Sequence, residues 1–323
     1  RYVTQYAIFD RSVQGRLLPM LRNQGRTGMA GGYPLDGTDY GVGTFDYWMQ
    51  VIWHIYQANP AEALKYAPWL NNAAYMQAHL AIPGGGERFS FSDIEGPDMS
   101  SAGASTDPNQ SHTRQLIAYL LEKAGGYSDT VNHMHAMAGL TPHEWGALRR
   151  SSQAGPGRVK TTYVNHAGTA AGVYARTGWG ADDAAVMIQA GGRNVHHDHA
   201  DILHIAWHDG DWKLRENPGY LSRVVYPGGV TPAGSATNHN VPDGQAIGQG
   251  AGPGYADIES VRWSEGLLFV DMQTFSIYPQ DGRREIVWDT VAREIEVDDS
   301  DLPATSWVGS ADVSVDGSTY VIS

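Results

Sequence analysis

Histidines and acids are concentrated in one stretch, NVHHDHADILHIAWHDGDWKLRENPGY, which runs from Asn194 to Tyr220. Five of the chain's 13 histidines fall within 13 consecutive positions of it. On a β-strand, His197, His199 and Asp201 would share one face, because successive side chains alternate between faces. Two imidazoles two positions apart can bind one metal ion, with a distant residue completing the coordination shell. The stretch predicts a metal or catalytic site, and the competing interpretation is a polar strand of hydrogen-bonded histidines.

The composition restricts the chemistry and the partners. The chain has no cysteine, so any metal must be bound through His, Asp, Glu, Asn or water. With 35 acidic and 22 basic residues the net charge is −13, which argues against nucleic acid as a partner. No apolar run approaches the roughly 20 residues that span a bilayer, so no membrane association is expected. The lack of cysteine is compatible with a periplasmic or secreted protein.

The first half of the chain has the period of α-helices. In TFDYWMQVIWHIYQANP the large apolar residues recur every three or four positions, with Thr44 as the predicted N-cap and Asn59 and Pro60 as the stop. In SHTRQLIAYLLEKAGG, Ser111 is the predicted cap and Gly125 the terminator. Three shorter helices are predicted, at 12–23, 61–81 and 130–138.

The pattern changes to that of β-strands from about Thr161. Asp-Gly or Glu-Gly pairs separate alternating apolar residues in HIAWHDGDWKL, SVRWSEGLLFVDM and ADVSVDGSTYVIS, as is typical of β-hairpins. The boundary is predicted within SSQAGPGRVK, at 151–160. The sequence therefore predicts a multidomain α and β protein, with a helical domain over 1–156 and an antiparallel β-sheet domain over 157–323.

Four segments, in order over about 31–245, resemble the heparinase II/III-like polysaccharide lyases, a family of alginate lyases and heparinases. The histidine stretch is similar to the family's glycine, His-x-His-x-Asp, hairpin and Asp-x-Gly-Tyr. GGYPLDGTDYGVGTFDYW is similar to its Gly-Gly-Trp-x-Glu-Gly-x-x-Tyr loop, IPGGGERFSFSD to its Pro-Asp-Gly…Phe-Gly-Asp connection, and TNHNVPDGQ to its His-Asn-Thr-Val…Asp-Gly segment. The resemblance implies a partial α/α toroid, incomplete here, followed by antiparallel β-sheets arranged like a sandwich.

The resemblance also implies roles for individual residues. Tyr40 matches the loop tyrosine that serves as base, acid or both, and Tyr47 on the following helix is the alternative. His197 matches an active-site histidine. Tyr226 matches a tyrosine of the sheet domain that contacts substrate. Arg88 and, as an alternative, Arg114 are candidate cations at the substrate. Tyr47 is also a candidate substrate contact.

A structural zinc ion is implied by the same resemblance. His199 and His239 match two of its ligands. The third ligand of the family is an aspartate, where this chain has Asn217, which offers a carbonyl oxygen but no charge. Glu216 could replace it if the strand register shifted by one residue, although such a shift reverses the face on which a side chain lies.

The implied activity is cleavage of a uronic-acid-containing polysaccharide by β-elimination, with an anionic polysaccharide or oligosaccharide as substrate and a homodimer as a compatible assembly. In the family, the residue that neutralises the substrate carboxylate lies on a helix some fifty positions before the tyrosine. Tyr40 is preceded by only 39 residues, so the resemblance implies either that the chain is the C-terminal portion of a longer lyase or that its toroid is shortened and another residue neutralises the carboxylate.

Three other interpretations remain. A toroid glycoside hydrolase would use paired carboxylates, for which the loops offer candidates. A carbohydrate-binding relative of a lyase would have lost catalysis. A cupin also has a glycine before His-x-His, but it needs a glutamate where Leu203 and His204 stand. The candidate carboxylates for the hydrolase are Asp36, Asp39, Asp46 and Asp93.

Overall fold

The computed structural model of the chain describes somewhat more than half of its residues. The described residues are 37–83, 89, 108–138, 160–166, 171–192, 202–214, 224–226, 229–231, 240–242, 254–305, 307 and 309–323. Within these ranges the side chains are described as well, except at 37–47, 108–112, 135–138, 192, 224–226 and 229–231, where only the backbone is described.

The chain divides into two compact units, each described by itself below. The helical unit takes its described residues from Gly41–Ala78 and Ser105–Val159. The sheet unit takes them from Leu35–Tyr40, His79–Ala104 and Lys160–Ser323. The sheet unit therefore includes two segments that precede the strands in the sequence.

The described helices follow the apolar periodicity, but three of their bounds differ from the prediction. They are α1 (Gly37–Ala58), α2 (Pro60–Ala63), a 3₁₀ turn (Leu64–Tyr66), α3 (Ala67–Leu80), α4 (Pro108–Ala124) and α5 (Ser128–Ala138). The helix predicted at 130–138 is confirmed, and the one predicted at 12–23 lies outside the described residues. None of the described helices combines the length and apolarity needed to cross a membrane.

The prediction that α1 begins after a Thr44 cap is wrong, because the helix begins at Gly37. Tyr40 therefore lies in the first turn of a helix and not in a loop. Gly41 and Gly43 lower helix propensity and made this segment resemble a loop. Asp39 lies near the amino end of the helix, where the helix dipole favours a negative charge.

Two further helix predictions are corrected by prolines. The cap predicted at Ser111 is wrong, because α4 begins at Pro108, and proline suits the first helical position since its missing N–H needs no partner there. The helix predicted over 61–81 is interrupted by the 3₁₀ turn and resumes as α3. Pro68 is the second residue of α3, where it is tolerated, but it cannot donate a hydrogen bond within a continuous helix.

The helical unit is held together by the predicted apolar stripes. On α1, Trp48, Met49 and Ile52 are buried, while Trp53 and Tyr56 lie half-buried at the edge of the stripe. Between α3 and α5, the Thr130 hydroxyl donates to the Asn71 side-chain oxygen at 2.8 Å. All four residues of the stripe predicted on α4 are buried, namely Leu116, Ile117, Leu120 and Leu121.

The sheet unit contains 14 described strands in three sheets. Every described pairing between them is antiparallel, so the prediction of an antiparallel β-sheet domain is confirmed. The strands are β1 (Thr162–Asn165), β2 (Gly172–Arg176), β3 (Ala184–Gln189), β4 (Gly191–Gly192), β5 (Ile205–Asp209), β6 (Trp212–Leu214), β7 (Val224–Tyr226), β8 (Gly229–Thr231), β9 (Tyr255–Ser264), β10 (Leu267–Phe275), β11 (Arg283–Asp289), β12 (Glu294–Ser300), β13 (Val313–Asp316) and β14 (Thr319–Ile322).

One sheet has the order β1-β2-β3-β5-β6, a second has the order β13-β14-β12-β11-β10-β9-β4, and β7 and β8 form a separate pair. The three hairpins predicted from the sequence are confirmed as β5–β6, β9–β10 and β13–β14. In the β9–β10 turn, Glu265 has φ of 50° and Gly266 has φ of 85°. Two consecutive residues at positive φ are characteristic of the tight turns that match the twist of a hairpin.

The five-stranded and seven-stranded sheets contribute to one hydrophobic core. In β11 and β12 every second residue is buried, so the seven-stranded sheet has one inner and one outer face. In β2, β3 and β5 every residue is buried, so the five-stranded sheet is covered on both faces at its centre. The largest fully buried side chains of this core are Trp207 and Trp288.

Candidate functional site

The predicted site residues fall largely outside the part of the chain that the structure describes. For Tyr40, Tyr47 and Tyr226 the backbone alone is described: the first two lie on α1 and the third ends β7. Their flanking segments are described, and these show which parts of the sequence come together. The predicted residues outside the described ranges are Arg88, His197, His199, Glu216, Asn217 and His239.

The segment that carries His239 is bound to the start of β5, where the histidine stretch continues. Asn240 follows His239 directly, and its backbone N–H donates to Nδ1 of His204 at 3.1 Å. The Asn240 side-chain amide donates to the carbonyl oxygen of Ile205 at 2.8 Å. Two segments 35 residues apart, each carrying a predicted zinc ligand, are therefore joined in the sheet unit.

Arg284, on the inner face of β11, links both of these segments. Its side chain is 0% exposed. The Nη1 atom donates to the carbonyl oxygens of Leu203 at 2.7 Å and of Asn240 at 3.2 Å. The Nε and Nη2 atoms donate to the two carboxylate oxygens of Asp299, each at 2.6 Å, and Nη2 also donates to the Thr305 hydroxyl at 2.5 Å. All five N–H groups of the guanidinium thus have an acceptor.

Leu203 adopts a backbone conformation that is rare for its residue type. Its φ is 72°, in the left-handed region, where a residue with a side chain is less stable by roughly 1–2 kcal/mol. The surroundings maintain this conformation, because the N–H of Leu203 donates to the Gln189 carbonyl at 2.9 Å, Arg284 binds its carbonyl, and its side chain is fully buried. Backbone strain of this kind clusters at functional sites.

Burial, together with the smaller effect of the positive charge of Arg284, lowers the pKa of His204 to about 3. The imidazole is therefore neutral near pH 7. Because Nδ1 accepts the hydrogen of the Asn240 amide, the ring proton of this neutral form lies on Nε2. His204 thus orients the backbone next to His239 and is not an acid–base group at neutral pH.

A second connection in the sheet unit involves the segment that carries Arg88. Phe89, the next residue, is buried, and its N–H donates to the Leu80 carbonyl at 2.7 Å. The Phe89 ring contacts the Trp212 ring edge-to-face at a centroid distance of 5.6 Å, and Trp212 contacts His208 in the same way at 5.4 Å. Trp212 lies on β6, which precedes Glu216 and Asn217 in the chain.

The division into units separates the two candidate tyrosines. Tyr40 is grouped with the sheet unit and Tyr47 with the helical unit. The sequence also left Arg114 as an alternative cation to Arg88. Arg114 lies on α4, buried within the helical unit. Within the described ranges, no three His, Asp or Glu side chains are grouped as a metal site, and the predicted zinc ligands lie outside those ranges.

Comparison with solved structures identifies proteins of the same architecture. The heparan sulfate lyase HepC from Pedobacter heparinus aligns with a TM-score of 0.58 and 12% identity, over 91% of this chain and 41% of that chain. A heparinase III aligns with a TM-score of 0.58 and 14% identity, over 95% and 43% of the two chains. A further heparinase III aligns with a TM-score of 0.52 and 11% identity, over 84% and 40%.

The chain shares its fold with heparinase III. The resemblance to heparinase II/III-like lyases that the sequence motifs indicated is thereby confirmed at the level of the fold. This chain spans about two fifths of the length of these structures. No protein-family model matches the sequence, and no curated protein matches it.

The sequence interpretation missed Arg284, Asp299, His204 and Asn240. The first two left a readable signal, because each lies at a position whose neighbours two residues away are apolar and inward-facing. Two residues of opposite charge, one on the inward apolar face of each of two neighbouring strands, indicate a buried ion pair. The apolar neighbours are Ile286 and Trp288 for Arg284, and Ile295 and Val297 for Asp299. The hydrogen bonds to Leu203 and Asn240 left no such signal, because they depend on backbone carbonyls.

Proposed function

We propose that this protein is a polysaccharide lyase that cleaves a uronic-acid-containing polysaccharide by β-elimination. The observation that carries the proposal is the heparinase III fold over 91–95% of the chain, combined with four sequence segments in the order of that family. We further propose that the described helices belong to an α/α toroid. The site is proposed in the sheet unit, where the segments that carry Arg88, His239 and the histidine stretch are held.

The reaction requires removal of the C5 proton of a uronate, which becomes acidic only when the adjacent carboxylate is neutralised. In the proposal Tyr40 takes this proton. Its phenol, with an ordinary pKa of about 10, needs a nearby positive charge for this role. His197 and Arg88 are the proposed cations, and Tyr40 or His197 then protonates O4 of the departing sugar. The product carries a double bond conjugated with its carboxylate.

The proposed substrate is an anionic polysaccharide or oligosaccharide. The structural neighbours include a protein named as a heparan sulfate lyase, which supports a sulfated or uronate-rich chain as the substrate class. Because the protein has a net charge of −13, an anionic chain must be bound by local cations and aromatic rings. Arg88 and Tyr226 are proposed for this binding.

A zinc ion is proposed at His199, His239 and either Asn217 or Glu216. Two imidazoles and one oxygen donor suit zinc, which accepts nitrogen and oxygen ligands. When bound, the ion would act structurally and order the segment that carries His197. The described hydrogen bonds support this arrangement, because within one unit they bind Asn240, which follows His239, and Leu203, four residues after His199.

The test is the ultraviolet absorbance of the unsaturated product when full-length protein is mixed with uronate polymers. Tyr40→Phe removes one hydroxyl and keeps the ring, so the fold should survive while turnover falls by roughly two to four orders of magnitude. Tyr47→Phe is the matched control, because it makes the same change two turns along α1. It should keep most of the activity.

The opposite result, with activity lost in Tyr47→Phe and kept in Tyr40→Phe, would move the catalytic role to Tyr47. New reducing ends without ultraviolet absorbance would indicate the glycoside hydrolase alternative. Binding of the polymer without any product would indicate a carbohydrate-binding protein. Either of these last two results would overturn the proposed lyase activity.

A further inference from the structure

We propose that Arg284 is a positioning residue of the candidate site, because it binds the histidine stretch and the His239 segment, already joined to each other through Asn240, to β11. This inference rests on the proposed function for its catalytic consequence. Arg284 is not itself a catalytic residue, since its contacts are with the protein. Its Nη1 atom binds Leu203 on one segment and Asn240 on the other.

The geometry of these contacts requires an arginine. One flat guanidinium presents two N–H groups to Asp299, one to Thr305 and two to the carbonyls of Leu203 and Asn240. A lysine ammonium has three donors without a fixed fork, so it cannot reproduce five directed bonds. A lysine at this position therefore leaves at least two of these five bonds unmade.

The plane of the guanidinium is itself fixed from the opposite side. Asp299 is the direct cross-strand partner of Arg284 in the register of β11 and β12. The Thr305 hydroxyl donates to Asp299 at 2.6 Å and accepts from Arg284, and the Thr305 N–H donates to the Tyr320 hydroxyl at 3.1 Å. The direction in which Nη1 points is therefore set by Asp299 on β12 and by Thr305, which also pairs with Pro242 of the His239 segment.

Both acceptors lie at positions where small displacements matter. Leu203, whose φ is positive, lies in the histidine stretch two residues before β5 begins. Its carbonyl is one of the two that Arg284 binds. Asn240 is adjacent to His239 and bound to His204. A shift of about 1 Å in a residue that positions reacting groups can reduce turnover about 100-fold. The placement of the two segments by Arg284 is therefore expected to affect kcat.

The attraction between Arg284 and Asp299 alone does not account for an arginine at this position. A buried ion pair replaced by well-packed apolar residues is often as stable or more stable, because desolvation of both charges offsets their attraction. An apolar pair could not bind two backbone carbonyls. The structure thus assigns to Arg284 a geometric role that apolar packing of the same core could not supply.

The experiment compares three variants of the full-length protein. Arg284→Lys keeps the positive charge but removes the planar guanidinium with its five N–H donors. Val297→Ala, on the inner face of β12, destabilises the same core and removes no donor or acceptor of the network. Arg283→Lys makes the same substitution one residue away on the outer face of β11. For each we would measure kcat and KM on a uronate polymer, and hydrogen exchange at the amides of Leu203 and Asn240, well below each variant's Tm.

For Arg284→Lys we expect a kcat lower by about 10- to 100-fold with KM changed less, and faster exchange at both amides than in Val297→Ala. Arg283→Lys should match the parent protein in every measurement. If Arg284→Lys and Val297→Ala show the same kcat and the same exchange, Arg284 is only a core residue and the inference is overturned. Faster exchange with an unchanged kcat would also overturn it.

If the protein has no lyase activity, the experiment gives a result that differs from those above. A parent protein that releases no unsaturated product from any uronate polymer contradicts the lyase activity and leaves the exchange measurement intact. In that case exchange decides the inference alone. Faster exchange at Leu203 and Asn240 in Arg284→Lys than in Val297→Ala supports the positioning of the two segments, and equal exchange rejects it.

Discussion

The two faces of β11 carry the same kind of ion pair in opposite surroundings. Arg283, with a side chain 49% exposed, binds both carboxylate oxygens of Asp271 at 2.6 and 2.5 Å. Arg284, 0% exposed, binds both carboxylate oxygens of Asp299, each at 2.6 Å. The bond geometries are nearly identical, so the difference between the pairs lies in what surrounds them.

On the outer face, water still reaches the pair, since the side chain of Arg283 is 49% exposed and that of Asp271 is 19% exposed, and such a pair contributes little. On the inner face, neither charge has water, and Arg284 must find all its acceptors within the protein. It finds three of them outside the carboxylate, on segments far away in the sequence. Because Arg284 is buried, it binds distant parts of the chain as well as the carboxylate of its ion-pair partner.

The largest expected effect comes from removing one carboxylate. Asp299→Ala leaves Arg284 as a buried charge without its counter-ion, and the free energy of unfolding should fall by about 3–5 kcal/mol. Asp271→Ala removes the equivalent group on the outer face and should leave the urea midpoint nearly unchanged. Chemical denaturation of both variants measures the contrast. Equal losses would show that burial does not distinguish the two pairs.

A double variant sharpens this comparison by removing both charges. In Arg284→Met with Asp299→Leu no charge remains unpaired, so stability should recover by about 1–4 kcal/mol relative to Asp299→Ala. Recovery should stop short of the parent protein, because the carbonyls of Leu203 and Asn240 lose a donor, at about 1–3 kcal/mol for each group left unsatisfied. Full recovery would contradict a role of these two bonds in stability.

The free energy of unfolding should also depend on pH through His204, which is buried and lies within reach of the charge of Arg284. Burial lowers the pKa of His204 from 6.5 to about 3, so below pH 6.5 the unfolded chain takes up a proton that the folded chain refuses. The free energy of unfolding therefore does not depend on pH through His204 above pH 6.5. As the pH falls from 6.5 toward 3, it decreases by about 1.4 kcal/mol per pH unit. His204→Asn keeps an acceptor for the Asn240 amide without titrating.

The measurement is the free energy of unfolding of His204→Asn and of the parent protein between pH 7 and pH 5, conditions chosen around the 6.5 value. The parent should lose stability more steeply as the pH falls, and the two curves should converge. Parallel curves over this interval would mean that His204 takes up its proton equally in the folded and the unfolded chain.

The smallest expected effects concern apolar residues on the two faces. Ile295→Val removes one buried methyl group from the inner face of β12 and should cost about 0.5–1.5 kcal/mol. Val287→Thr changes a half-buried residue on the outer face of β11 and should stay within about 0.5 kcal/mol of the parent. Thermal unfolding of both variants tests this. A larger loss for Val287→Thr would indicate that the outer face is covered in solution.

Sequence patterns predicted the local elements well wherever short-range rules decide them. The hairpins β5–β6, β9–β10 and β13–β14, the end of α1 before Asn59 and the end of α4 before Gly125 all follow from turn residues and helix stops. The start of α1 was predicted eight residues too late, at Phe45 in place of Gly37, because Gly41 and Gly43 weakened the helical signal. Helix beginnings depend on context that a single window of sequence does not contain.

For the candidate site, the sequence by itself determined the residue types and their order: the histidine stretch, the Asn240 neighbour of His239, and an arginine at an inward position of β11. Only the tertiary structure decided that these belong together. Hydrogen bonds to the carbonyls of Leu203 and Asn240 join chain positions 81 and 44 residues from Arg284. Backbone carbonyls are the same in every residue, so no side-chain pattern encodes such a bond, and only the folded arrangement of the strands brings donor and acceptor within reach.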